Sequence, residues 1–119
     1  MEVLVYGLGD HFNETVPQLA LDPHVAQVIV SYGDVPGALV LAYVATMTNP
    51  CKAQDVFDIA DLVGMDTEMY SPAEWVSKSI STRLYLRSQG FDGFYDQSVL
   101  ENAEPFQVVV FSKEQLTLA

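Results

Sequence analysis

The fold of this chain is decided by two short stretches, GFDGFY at positions 90–95 and FQVVVF at positions 106–111. The first reads as a helix end that turns into a short strand, because Gly90 can end a helix and Gly93 lets two backbones pass closely. The second is rich in β-branched and aromatic residues and predicts a strand. A polar loop over 98–105 is expected between them.

The helix before this joint is the clearest one in the sequence. Ser71 is placed to cap it, Pro72 suits its first position, and Glu74 completes a capping-box pattern. The helix is therefore predicted to run to about Gln89. Its apolar spacing predicts two sides, with Trp75, Val76, Ile80 and Leu84 on the inner face and Arg83 and Arg87 on the outer one.

Two further helices are expected nearer the N-terminus. Asp22 and Pro23 have the residue types of a helix start, and His24–Tyr32 carries apolar residues at helical spacing. The β-branched run at 28–30 leaves a strand as the alternative there. Ala53–Val63 has the pattern of an amphipathic helix that ends at a glycine.

The remaining segments complete the predicted architecture. Strands are expected at Met1–Tyr6 and at Ala38–Thr46, where a near-continuous apolar run suits a buried central strand. A closing turn is expected over Lys113–Leu116. Helices and strands alternate without a steady βαβ rhythm, so the fold class is α+β, with a small mixed or antiparallel sheet and about three helices. The 119 residues have the length of a single domain, 1–119.

The charge of the chain limits its partners. Sixteen acids against five bases give a formal net charge of −11. Such a surface repels phosphate backbones and anionic lipid, so neither direct nucleic-acid binding nor a membrane is expected. The apolar runs are too short to span a bilayer, and Cys51 has no second cysteine to pair with, which fits the cytoplasm. A protein partner, with a basic surface, remains compatible with this charge.

The charge is also unevenly distributed. Segment 71–90 holds three of the five bases and one acid, a net of +2, which leaves −13 for the rest. Its cations are either an ordinary solvated helix face or a strip that docks an acidic partner or a phosphate. Acids at three-residue spacing, Asp55, Asp58 and Asp61, form a stripe that would suit a basic partner. Asp92 and Asp96 are interpreted as turn acids, and no metal ligands are predicted.

Several stretches together resemble the ADP-ribosyltransferase-like domains of phage, toxin and polyvalent proteins. They are the Gly-Phe-Asp-Gly of 90–93, the Val-Val-Phe of 109–111 with Glu-Gln-Leu at 114–116, and, upstream, Asp22–Ala26 and the Asn-Pro of 49–50. The resemblance covers about two thirds of the chain in the same order. It implies the split β architecture of that family and chemistry on NAD.

The family's catalytic glutamate aligns with Gln107 of this sequence. A glutamate there holds a ribose hydroxyl and stabilises the positive charge that develops as nicotinamide leaves. An amide can still hydrogen-bond the hydroxyl but supplies no negative charge. Glu104 and Glu101, in the loop just upstream, are the carboxylates that would substitute for it.

The resemblance also implies which residues would bind NAD, the cofactor if the chain is active. The family's first strand carries Tyr-His-Gly or Tyr-Arg-Gly, whereas this chain has Tyr6-Gly7-Leu8-Gly9, with His11 further on. A cleft beside Tyr6, Tyr32 and Gln107 is expected. The implied cofactor-binding residues are therefore Tyr6, Gly7, His11 and Tyr32.

These observations leave several functional hypotheses. The first is a degenerate ADP-ribosyltransferase-like domain that serves as a protein-binding module, in a host cytoplasm if it is of phage origin. The second is an active transferase or NAD glycohydrolase, with Glu101 or Glu104 stabilising charge and His11 on the NAD. The third is an acidic protein that occupies a basic surface, as nucleic-acid mimics do, or an assembly subunit of a larger particle.

Overall fold

The strands of the chain form one mixed sheet that runs through the molecule. The computed structural model describes residues 1–9, 12–32, 39–96 and 107–119. Within these ranges the sheet has seven strands, in the order β4-β5-β6-β2-β1-β3-β7. Neighbours are antiparallel except for β4 and β5, which are parallel. The strands are β1 (Glu2–Gly7), β2 (Leu19–Ala20), β3 (Leu41–Thr46), β4 (Pro50–Cys51), β5 (Gly93–Tyr95), β6 (Gln107–Val110) and β7 (Leu116–Leu118).

Five α-helices accompany the sheet in the described residues. They are α1 (Pro23–Tyr32), α2 (Ala53–Asp58), α3 (Ala60–Val63), α4 (Pro72–Lys78) and α5 (Ile80–Ser88). The α+β class and the mixed sheet are confirmed, whereas the expectation of about three helices is too low. None of the described helices is long and apolar enough to cross a bilayer.

The sheet is packed on both faces at β6. Val109 belongs to a core that also holds Cys51 and Phe94 from β4 and β5 and buried side chains of α2 to α5. Val108 and Val110 belong to a second core on the opposite face, with side chains of β1, β2 and β3. Successive side chains of a strand point to opposite faces, so the apolar run of 108–110 in β6 fits between two cores.

Strand β3 differs from its prediction in position and burial. It begins at Leu41, and its burial alternates, with Tyr43 and Ala45 inside and Leu41 and Thr46 exposed. It lies between β1 and β7, next to the edge of the sheet. Strand β7, which pairs with it, was not expected from the sequence, where only the turn before it was predicted. That turn is a 3₁₀ helix, Lys113–Gln115.

Helix α1 begins where its capping residue predicted. The Asp22 carboxylate accepts hydrogen bonds from the N–H groups of His24, at 2.7 Å, and Val25, at 3.2 Å. These bonds satisfy N–H groups that the first helical turn leaves without a partner. The strand alternative for 28–30 is wrong, because the helix continues through it to Tyr32.

The helix predicted from Ser71 to Gln89 is two helices, because Ser79 interrupts it. Ser79 has extended backbone angles, φ −103° and ψ 106°, and its Oγ accepts a hydrogen bond from the N–H of Thr82. It therefore ends α4 and caps α5, which changes the faces of the second half. Ile80 is 54% exposed and Leu84 is 61% exposed, while Arg83 is buried, so the predicted faces are wrong for these three residues, whereas Arg87 is exposed as predicted. Ile59 also divides 53–63 into two helices, at φ −108° and ψ 5° and without a side-chain cap.

The joint at 90–95 is fixed by two polar side chains. The Asp92 carboxylate accepts hydrogen bonds from the N–H groups of Thr48, at 2.6 Å, and Asn49, at 2.9 Å. The Gln115 amide donates to the carbonyl oxygen of Asp92 at 2.8 Å and accepts from the N–H of Phe111 at 3.1 Å. This network holds β5, the end of β6 and the residues after β3 together, so the Asp92 carboxylate acts across the sheet and not within its own turn.

Candidate functional site

Two of the predicted site residues lie in one row across the sheet. Tyr6 of β1 is paired with Ala20 of β2, and Ala20 is paired with Gln107 of β6. Directly paired residues of antiparallel strands project from the same face, so the side chains of Tyr6 and Gln107 share a face, with only the small Ala20 between them. Two strand spacings separate them, about 10 Å.

The amide of Gln107 has an unusual environment in this row. Its Oε1 is buried and has no hydrogen-bond partner in the described part of the chain. A buried acceptor without a partner costs about 1–3 kcal/mol, and such atoms in native proteins often have a functional explanation. The side chain as a whole is only partly buried. Gln107 is therefore the residue of the row that carries an unsatisfied acceptor.

Gly7 serves the packing of the sheet. A Cβ atom at Gly7 would come within 2.7 Å of the Cδ2 atom of Leu19 in the core. At Gly9 a Cβ atom would come within 2.5 Å of the Tyr43 ring. Both positions need glycine for this close approach. The Cβ position of Gly7 points toward Leu19, on the face of the sheet opposite the Tyr6 side chain. Its predicted role in cofactor binding would therefore have to come from its backbone.

The other predicted residues are not placed in this row by the structure. His11, Glu101 and Glu104 lie outside the described residues. Tyr32 is the last residue of α1, and its side chain is not among those described. Their roles stay predictions.

Two further titratable groups are structural. Asp96 is buried, and its carboxylate accepts a hydrogen bond from the N–H of Ala53 at 2.8 Å. Cys51 is completely buried. Burial, with a smaller effect from the negative charge of Asp55, raises the pKa of the Cys51 thiol to about 12. The thiolate is the nucleophilic form, so this cysteine is unreactive in the folded chain. Within the described ranges no three His, Cys, Asp or Glu residues cluster as metal ligands would.

A second candidate site is a cleft of about 340 Å³ beside α5, here called the cationic cleft. Three of the five basic residues of the chain line it: Arg83 and Arg87 of α5 and Lys113 after β6. The sequence predicted a cationic strip on this helix, but it did not predict Lys113 as part of it. The signal in the sequence that could have identified Lys113 was its position two residues after the Val-Val-Phe of 109–111.

Arg83 is the fixed member of the cleft. Its guanidinium donates to the carbonyl oxygens of Val76, at 2.8 Å, Ser77, at 2.7 Å, and Glu14, at 2.6 Å. Only 6% of the residue is exposed. Burial, and secondarily the positive charge of Arg87, lower its pKa. Arg83 of α5 thus joins the end of α4 to the segment between β1 and β2.

Arg87 and Lys113 are the accessible cations of the cleft. Arg87 stacks over Phe111, with its Cζ atom 6.0 Å from the ring centroid. In the ranges that the structure describes, no carboxylate oxygen lies within 4.0 Å of a charged nitrogen of Arg83, Arg87 or Lys113. Glu114 is near, and the pKa of its carboxyl is lowered by a hydrogen bond from the Ser112 hydroxyl and, less strongly, by Lys113 and Arg87.

Comparison with known proteins assigns no family to the chain, which matches no protein-family model, no curated protein and no solved structure.

Proposed function

We propose that this chain is a protein-binding module without catalytic activity, built on an ADP-ribosyltransferase-like arrangement. One observation carries the proposal. Gln107, which aligns with the catalytic glutamate in the resemblance, shares a row and a face with Tyr6 of the first strand. A site shared by the first strand and Gln107 requires this proximity, and only the neutral Ala20 stands between them.

The chemistry of the amide explains why the module would not be catalytic. Cleavage of the nicotinamide–ribose bond develops positive charge on the sugar, and a preorganised carboxylate stabilises that charge. The Gln107 amide has a dipole but no net charge, and the row of Tyr6, Ala20 and Gln107 holds no carboxylate. Removing one electrostatic stabiliser of this kind costs about 10²–10³ in rate. The same amide, on a side chain that is only partly buried, can still take part in hydrogen bonding without supplying charge.

The test is turnover of NAD by the purified chain. We expect no release of nicotinamide and no transfer of labelled ADP-ribose to proteins of a lysate. The Gln107→Glu variant restores the carboxylate and is expected to release nicotinamide slowly. Gln89→Glu, an exposed site with the same charge change, is the matched control and is expected to stay inactive.

One outcome would instead favour an active enzyme. If the unmodified chain cleaves NAD, and Glu101→Gln or Glu104→Gln abolishes the cleavage, the loop carboxylates supply the charge and the non-catalytic proposal is wrong. This experiment does not use the Gln107→Glu variant. Thermal unfolding reports separately whether that variant is folded.

A second candidate function, occupation of a basic surface, is favoured by α2 and α3. Asp58 and Asp61 are exposed there, beside Phe57 and Leu62, which are also exposed. Asp55 of the same stripe instead caps the start of α2, where its carboxylate accepts a hydrogen bond from the N–H of Lys52 at 2.7 Å. Exposed apolar groups ringed by acids suit a basic protein partner.

A lysine-rich peptide tests this candidate. The affinity of the peptide should fall steeply with salt. The double variant Asp58→Asn, Asp61→Asn should weaken binding more than Glu2→Asn, Glu68→Asn, which removes two exposed acids elsewhere. Equal weakening by both pairs would mean that net charge alone attracts the peptide.

A further inference from the structure

The cationic cleft concentrates positive charge on a chain that is otherwise strongly negative. Three of its five bases line this one cleft, and the chain carries −11 overall. Arg83 is held by three backbone carbonyls, which leaves two of its five N–H groups outside those bonds. Arg87 and Lys113 add further donors, and none of the three has a carboxylate partner among the described residues. The cleft is thus rich in donors without acceptors.

The cleft also has an apolar side. Ile80 and Leu84 line it from successive turns of α5 and are more than half exposed. Phe12 and Phe111 form part of its wall. The two apolar side chains lie on one side of the helix, exposed to solvent and next to cations without carboxylate partners. This combination is typical of a surface that a partner chain covers.

We infer that the cationic cleft binds a short acidic peptide segment of a partner protein. Carboxylates of the peptide pair with Arg87 and Lys113, and its apolar side chains cover Ile80 and Leu84. A bare inorganic anion would use the donors but leave the apolar side exposed, so a peptide fits the whole cleft better. The volume of about 340 Å³ accommodates a few side chains.

This inference goes beyond the proposed function because it concerns a different place on the molecule. Phe111, in the wall of the cleft, lies four residues along the chain from Gln107, a rise of about 13 Å along an extended strand. The NAD experiment leaves the cleft untouched. Failure of one proposal therefore does not imply failure of the other.

The experiment measures binding of a capped octapeptide of alternating aspartate and leucine to the full chain by isothermal titration calorimetry. The double variant Arg87→Gln, Lys113→Gln is expected to weaken binding about tenfold, which is about 1.4 kcal/mol. Lys52→Gln, Lys78→Gln makes the same change in net charge outside the cleft and is expected to change binding less than about twofold. Ile80→Ser, Leu84→Ser is expected to cost about tenfold as well.

Three outcomes would overturn the inference. One is no binding of the peptide at about 1 mM, far above the range of a specific site. Another is equal weakening by the two charge-matched double variants, which would show general attraction. The third is full binding to Ile80→Ser, Leu84→Ser together with displacement of the peptide by inorganic phosphate, which would show a site for small anions only. Melting temperatures of all variants confirm that each is folded.

Discussion

The guanidinium of Arg83 donates a 2.6 Å hydrogen bond to the carbonyl oxygen of Glu14, 69 positions earlier in the chain. Close by, the N–H of Val16 donates to the carbonyl oxygen of Ser77 at 2.9 Å. The segment between β1 and β2 has no regular secondary structure over these residues, so its backbone groups need such partners. Arg83 therefore fixes one wall of the cationic cleft and does not serve as a surface charge.

Replacing Arg83 with methionine is expected to lower the free energy of unfolding by about 3 kcal/mol, because three carbonyl oxygens lose their charged donor. Chemical denaturation in urea measures the loss. Arg87→Met, which removes an exposed arginine from the same helix, is the matched control and should cost less than about 0.5 kcal/mol. Equal costs for the two variants would show that the buried hydrogen bonds of Arg83 contribute little.

Ser79→Ala is expected to destabilise the chain by about 1 kcal/mol, because α5 loses the hydroxyl that accepts from the backbone N–H of Thr82. The same hydroxyl accepts from the Thr82 side chain at 2.8 Å, so the loss also affects a half-buried contact. Thermal or urea unfolding measures it. Ser88→Ala, an exposed serine at the other end of α5, should cost less, and an equal loss there would contradict the capping role of Ser79.

The Cys51 thiol gives a prediction for alkaline pH. Its pKa rises from 9.0 to about 12 on folding, so the folded chain keeps the proton over a range in which the unfolded chain loses it. Stability from this group is fully present below pH 9 and is lost as the pH rises toward 12, by up to about 1.4 kcal/mol per pH unit. Unfolding free energies at pH 8 to 11, compared between the unmodified chain and Cys51→Ala, isolate this contribution from other titrations. A parallel decline in both would show that Cys51 is not its source.

Reactivity of the same thiol gives an independent check. In the folded chain at pH 8 we expect alkylation of Cys51 by iodoacetamide to be at least about 100-fold slower than in urea-unfolded chain, because both burial and the raised pKa withhold the thiolate. Mass spectrometry of timed samples measures the rates. Similar rates in the two states would mean that the thiol is accessible and ionised in the fold.

Gly93→Ala is expected to cost about 2.5 kcal/mol, because the new Cβ would come within 2.6 Å of the Met47 Sδ atom and 2.9 Å of the Val109 carbonyl oxygen. Gly64→Ala is the comparison. That position has a left-handed backbone, φ 72°, but open space around it, so strain alone should cost about 1 kcal/mol. Urea denaturation ranks the two, and a larger loss at Gly64 would contradict the close packing at Gly93.

Sequence reasoning found two of the helix caps and missed a third. Asp22 and Ser71 were identified as helix caps because a cap is made by a side chain and a backbone N–H two or three residues away. The break at Ser79 was missed because serine at that position is compatible with a continuous helix. After this break Ile80 and Leu84 are exposed and Arg83 is buried, contrary to the prediction, while Arg87 is exposed as predicted.

The candidate sites divide in the same way. Tyr6 and Gln107 were found in the sequence, but their common row depends on the pairing of β1 and β6 with the two-residue strand β2. No local pattern specifies that pairing, because strand register is set by which apolar faces meet in the core. Lys113 lies in the same cleft as Arg87 only because β6, which precedes Lys113 in the chain, takes its place in this sheet.

By itself, the sequence determined the α+β class and the strand at β6, since these follow from apolar patterning. Tertiary structure alone decided that Gln107 faces the side of Tyr6 and that three of the five bases meet in one cleft. Those relationships join residues far apart in the chain. They are fixed by the register of the sheet and by the packing of α4 and α5 against it, which only the folded chain as a whole specifies.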